Sequence, residues 1–132
     1  MNREIKRRKE YDFTDLEIWQ EAHRLTITIY ELIKKYPKEE LYGLTSQTKR
    51  AAISVELNIA EGYGRYHFAE EIKFLLNARG SIAEVQSCLL IAKDLNFIKE
   101  SEASKIYLKY RILSKRINSL IKYKKGAKNA KK

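Results

Sequence analysis

The sequence predicts an all-α fold, an antiparallel up-down-up-down four-helix bundle, on three observations. Its 132 residues are 44% apolar and 33% charged, with one Pro and five Gly, too hydrophobic for disorder and too poor in turn formers for many short strands. Apolar residues recur at alternating three- and four-residue intervals in four successive segments, the period of a helix with one buried stripe. Short connections join the segments, and short connections make neighbouring helices reverse direction. A chain of this length holds one core.

The first helix is expected from about Asp15, its cap, to Tyr36, where Pro37 ends it. Its seam is Ile18, Ala22, Leu25, Ile29, Leu32 and Tyr36, widened by Trp19, Tyr30 and Ile33. After a loop from Pro37 to Gly43, the second helix runs from Leu44 or Thr45 to Gly62 or Gly64. Ala52, Val55, Ile59 and Tyr63 lie on one side of it, and Ile53, Leu57 and Ala60 form a further stripe. The third spans Phe68 to Asn96 on the seam Leu75, Ala78, Ile82, Val85, Leu89 and Ala92, with Asn96 as a left-handed stop. The fourth opens at Ser101 as N-cap, turns Ala103, Ile106, Tyr110, Leu113, Ile117 and Leu120 inward, and ends near Tyr123.

This reading divides the chain into a basic N-terminal segment (1–12), the bundle (13–123) and a disordered lysine-rich tail (124–132). A second apolar line on the third helix, Ile72, Leu76, Ala83 and Leu90, joins Ile53 and Leu57 in predicting that the bundle packs against copies of itself. A broad core wrapped by one helix is the alternative.

Charge is distributed unevenly. Met1 to Glu10 carries a net +3, Tyr11 to Glu102 a net −4, and Ala103 to Lys132 a net +11 with no acidic residue. The up-down-up-down order brings the first helix's start and the fourth helix's end to one pole, which makes that pole basic. Arg3, Lys6, Arg7, Arg8 and Lys9, with Lys115, Arg116, Lys122, Lys124 and Lys125, are the expected nucleic-acid contacts. Lys and Arg there neutralise phosphates and release counterions, and marginal tyrosines stack on unpaired bases, so RNA is a suitable ligand. A merely solubilising lysine tail is the competing reading, and membrane adsorption ranks below both for want of bulky apolar anchors.

Other chemistries lack their residues. The only histidines, His23 and His67, have no Glu three positions before them, so the paired Glu-x-x-His ligands of a di-iron bundle are missing. Cys88 lies in an apolar run, where a buried, inert thiol is expected. Gly62-Tyr63-Gly64 follows a helix and lacks a phosphate-loop pattern. No metal, cofactor or catalytic residue is therefore assigned, and Glu56 is expected to be partly buried. One cysteine, no secretory h-region and no eighteen-residue apolar run predict a cytoplasmic protein without membrane contact.

One polar line on the second helix, Gln47, Arg50, Ser54, Asn58, Glu61 and Arg65, reads by periodicity first as a solvated face and second as a hydrogen-bonded contact between subunits. Glu61 and Arg65 stand at ion-pair spacing.

Several blocks in this region resemble a known family. They are Phe13-x-x-Leu16-x-x-Trp19-x-x-Ala22, Tyr36-Pro37, Glu40-x-Tyr42-Gly43-Leu44-x-x-Gln47, Lys49-Arg50-Ala51, Ser54, Asn58-Ile59-Ala60-Glu61-Gly62 and Phe74-Leu75-x-x-Ala78-Arg79-Gly80-Ser81-x-x-Glu84. The resemblance is to bacterial four-helix bundle proteins encoded in intervening sequences of large-subunit ribosomal RNA genes, together with the accessory variability proteins of diversity-generating retroelements. Tyr36, Lys49 and Asn96 depart mildly from the family pattern. The resemblance implies a ring-like homopentamer with a basic surface, no catalytic residues, and, in the retroelement branch, binding of nucleic acid and a reverse transcriptase. It also shifts the polar line, with Arg79, toward buried or interfacial hydrogen bonding. Gly80, costly within a helix, then marks a close helix approach. The expected function is a non-enzymatic homo-oligomer that binds RNA or DNA; the alternative is a scaffold with no direct nucleic-acid role.

Overall fold

A computed structural model of the protein describes residues 11–130. Its long elements are four α-helices, α1 (Glu17–Leu32), α2 (Leu44–Tyr63), α3 (Phe68–Asp94) and α4 (Glu100–Ala130), with short 3-10 turns at Phe13–Asp15, Ile33–Lys35 and Lys38–Glu40 and no strand among the described residues.

The helix ends correct the expected boundaries. Asp12 rather than Asp15 caps the first turn: the Thr14 N–H donates to the Asp12 carboxylate, and the Asp12 N–H donates back to Asp15 at 3.0 Å, a capping box. Extended Leu16 then separates that turn from α1. Pro37 disfavours helical geometry in the residue before it, and Tyr36 is accordingly extended (φ −74°, ψ 147°) after the helix has tightened at Ile33–Lys35. Asn96 is left-handed (φ 65°). The Phe97 N–H donates to the Ala92 carbonyl and the Asn96 N–H to that of Lys93, both at 2.9 Å, which satisfies the end of α3 as a Schellman motif.

Two expectations for α4 fail. Ser101 lies inside the helix, and the Lys99 N–H is instead held by Glu102 Oε1 at 3.0 Å. The segment assigned to a disordered tail continues as helix through Ala130. Lys and Ala are good helix formers, and extending a helix that already exists avoids the cost of nucleation; residues 131 and 132 lie outside the described set.

The predicted seams form one core, in which Ala22, Ile29, Ala52, Val55, Ala78, Val85, Leu89, Tyr110, Leu113 and Ile117 are almost wholly buried. Two phases differ slightly. Ile121 is buried where Leu120 was expected, with Leu120 only packed against the core, and Tyr63 is exposed while Gly62 is buried. Gly62 fits because α2 and α3 approach closely there: a Cβ would stand 3.1 Å from Phe74 Cβ and 3.4 Å from the Glu71 carbonyl oxygen.

Contacts between successive helices pair rising residue numbers with falling ones. Thr26 donates to the Ala52 carbonyl while His23 meets Glu56. Between α3 and α4, Gln86 donates to the Tyr107 carbonyl, Arg79 bonds Asn118 and Lys124 donates to Glu71. Lys35, after α1, pairs with Glu102 at the start of α4. α2 against α3 is the largest pairing, followed by α3 against α4.

Candidate nucleic-acid interface

Nine cations and no carboxylate lie on α4 from Ala103 to Ala130. Because this helix buries only one stripe, most of those cations are turned outward. Lys115, Arg116, Lys122 and Lys125 are exposed, as the sequence reading requires. Lys105, Lys109 and Arg111 are exposed on the same helix and were missed; they belong to the outward phase of the periodicity that located the core. Arg3, Lys6, Arg7, Arg8 and Lys9 lie outside the described residues.

Lys124 requires a correction. Its ammonium pairs with Glu71, whose side chain is only 12% exposed, and sits 5.9 Å from the centre of the Phe68 ring. A cation committed to a buried carboxylate is a poor phosphate ligand, so Lys124 fastens the end of α4 to the start of α3.

The polar line on α2 divides into three parts. Asn58 donates to the Ser54 carbonyl at 2.9 Å and lies 3.1 Å from Ser54 Oγ, and the Ser81 hydroxyl donates to Ser54 Oγ at 2.9 Å. These groups stitch α2 to α3 within one chain. Glu61 and Arg65 form the expected ion pair, with the guanidinium 4.8 Å from the centre of the Phe74 ring. Gln47 and Arg50 stay exposed, facing a groove of about 440 Å³ that Glu84, Ser87, Cys88 and Ile91 also line. Arg79 donates to Asn118 Oδ1 at 2.7 Å, joining α3 to α4.

On the outer side of α3, Leu76, Ala83 and Leu90 are exposed, whereas Ile72 is buried. Gly80 lies among the exposed residues with nothing within 4 Å of a Cβ built on it. Among the described residues no close approach explains this glycine; that approach occurs at Gly62.

The remaining titratable groups have structural surroundings. His23 stacks on Trp19 (ring centres 4.8 Å apart) and lies 3.1 Å from Glu56 Oε2, which is 13% exposed. Tyr110 is fully buried with its hydroxyl unpartnered, and burial, reinforced by the Glu56 carboxylate, raises its pKa. Burial pushes the Tyr36 phenol up to about 12, partly offset by Thr48, and also raises the Cys88 thiol. Among the described residues no three His, Cys, Asp or Glu side chains converge as metal ligands, and no helix is long and apolar enough to cross a membrane.

A family profile described as 23S rRNA-intervening sequence protein matches residues 14–119. The chain belongs to that family. Membership covers α1 to α3 and α4 as far as Ser119, so it includes the α2 polar groups, Arg79, Lys115 and Arg116. The intervening-sequence match ends before Lys122, Lys124 and Lys125. No curated protein matches the chain.

Proposed function

We propose that this intervening-sequence protein is a non-enzymatic, cytoplasmic homo-oligomer that binds RNA or DNA through the basic outer surface of α4. The observation that carries the proposal is the carboxylate-free run of α4, whose cations are exposed except for Lys124. Such a surface attracts phosphates irrespective of base sequence, and its affinity falls with salt as counterions are released.

The descending partner numbers support an antiparallel, up-down-up-down bundle, and the Lys35–Glu102 pair supports placing the start of α1 at the pole where α4 ends. Self-assembly is supported by Gly80, which no described residue covers, and by exposed Leu76 on the same helix. The family resemblance makes a ring of five the favoured state, and such a ring repeats the basic face once per subunit, adding avidity on a long polyanion. A reverse transcriptase partner follows from the resemblance alone, and co-expression with pull-down tests it.

Gel retardation of single-stranded RNA over a series of KCl concentrations tests the binding. Replacing Lys115, Arg116, Lys122 and Lys125 with Gln should weaken binding and lower the salt slope by about 3, taking roughly 0.7 for each lost single-strand phosphate contact. An unchanged slope, or no retardation even at low salt, refutes the proposal and leaves the scaffold reading.

A further inference from the structure

The outer surface of α4 is not uniformly basic. Leu108 and Ile112, one turn apart, are 53% and 55% exposed, large values for two aliphatic side chains at successive positions of one stripe. At about 100° per residue they point directly away from the buried seam, with Ser119 on the same line. Lys105, Lys109 and Arg116 flank one side of this line, and Arg111, Lys115 and Lys122 flank the other, all exposed. Toward α3 the stripe opens into a groove of about 270 Å³ lined by Leu90, Lys93, Ala103, Ser104, Tyr107 and Leu108. Beside the groove the Gln86 amide donates to the Tyr107 carbonyl at 3.3 Å, and Leu90 is 41% exposed at its edge.

We propose that this groove and the Leu108–Ile112 ridge receive an acidic amphipathic helix of a partner protein. An apolar centre with a charged rim is the anatomy of a protein interface, and an amphipathic helix laid in an apolar groove is a recurrent way to fill one. Charge selects the occupant: six cations flank the ridge and α4 has no carboxylate from Ala103 onward, so the partner's flanks are rich in Glu and Asp; Lys115, Arg116 and Lys122 are shared with the nucleic-acid reading, so the helix and RNA compete for this face. RNA fits the ridge less well, because Leu108 and Ile112 offer phosphates nothing and bases no stacking plane. A second copy is also a poorer match. On α1, exposed Ile27 and Tyr30 lie beside Glu21 and Glu31, but those carboxylates are already paired with Arg24 and Lys34.

The test is fluorescence anisotropy of the full chain with a labelled model peptide of about five helical turns, carrying Leu at i, i+3, i+4 and i+7 on one face and Glu elsewhere. Saturable binding is expected, and Leu108→Ser with Ile112→Ser should weaken it about tenfold or more. Both sites are exposed, so the far-UV spectrum and melting temperature should hold, and RNA retardation should be unchanged. A peptide with Ala in place of Leu should bind far more weakly. The proposal is overturned if the Leu peptide fails to bind, if the Ala peptide binds equally well, or if the double variant loses RNA, which would give the ridge to nucleic acid. A double variant that sediments as a smaller species overturns it too, by making the ridge a contact between copies.

Discussion

Gly80 offers the sharpest test of self-assembly, because the single chain tolerates an added side chain there and the assembly does not. Within one chain, Gly80→Ala relieves the cost of a helix-interior glycine, about 0.8–1 kcal/mol, and the added Cβ meets nothing within 4 Å. For a domain of this size that gain should raise the melting temperature by roughly 3–6 °C at concentrations low enough to hold the protein as separate chains. If a neighbouring subunit packs over Gly80, side-chain atoms there overfill the contact, at a cost of about 1–3 kcal/mol. Gly80→Leu should then weaken association by roughly 5- to 150-fold while the isolated chain stays folded. Circular dichroism melts and sedimentation velocity across a concentration series separate the two effects. A Gly80→Leu protein that assembles like the parent refutes the placement of the subunit contact on this face of α3. Gly62→Ala is the internal control: its Cβ would meet Phe74 and the Glu71 carbonyl, so it should destabilise the chain at every concentration.

Other outcomes follow from polar groups that the fold pairs or buries. Lys124→Met strands the Glu71 carboxylate and should cost about 1–3 kcal/mol in urea unfolding, the partial exposure of the pair keeping it below a fully buried case; Lys122→Met, at an exposed site, should change stability by less than about 0.5 kcal/mol. Tyr110→Phe removes a buried hydroxyl that has no partner and should leave stability equal or raise it by about 1 kcal/mol, as read by thermal melting. Glu102 is held below the ordinary carboxylate value of 4.5, first by Lys35 and then by the Lys99 N–H. A carboxylate with a depressed folded pKa stabilises above its unfolded value and loses that contribution as pH falls through its folded one. The stability gap between the parent and Glu102→Gln should therefore be present at pH 7 and narrow below about pH 4.5.

The core was legible because its signal is periodic and repeated. Apart from Tyr63, the seam residues from Ile18 to Ile117 occupy positions that only a helix brings to one face, and they are the ones the fold buries. Asn96 was legible for a different reason, since a polar residue that tolerates positive φ just after an apolar run is a local signal. The misread helix ends turned on choices between adjacent carboxylates and hydroxyls: Asp12 or Asp15, Glu102 or Ser101. Each candidate has the right chemistry, and the winner depends on backbone geometry a few residues away. The candidate surface was half legible. Composition showed that the chain's end is basic, but composition treats Lys124 and Lys125 alike, whereas the fold commits one to Glu71 and exposes the other. Lys105, Lys109 and Arg111 lie outside the densest run of charge, and only their phase on the helix shows that they face outward. The α2 polar line was indexed correctly, yet Ser54 bonding Ser81 on α3 depends on how the two helices are rotated against each other.

Continuation of α4 to Ala130 changes how the basic surface works. A disordered lysine tail neutralises phosphates only by giving up its own freedom on binding, and ordering each long side chain and its backbone opposes association. A helix has already lost the backbone part of that freedom on folding. It also holds Lys115 and Lys122 two turns apart, about 10 Å along the axis, with Arg111 on the same flank. The last core residue of α4 is Ile121, so nothing apolar beyond it fixes the final turns to the rest of the fold. The Lys124–Glu71 pair does so instead, three residues past the last buried side chain. One lysine near the chain's end thus gives up its availability to phosphate and keeps Lys122 and Lys125, its exposed neighbours, on a defined face.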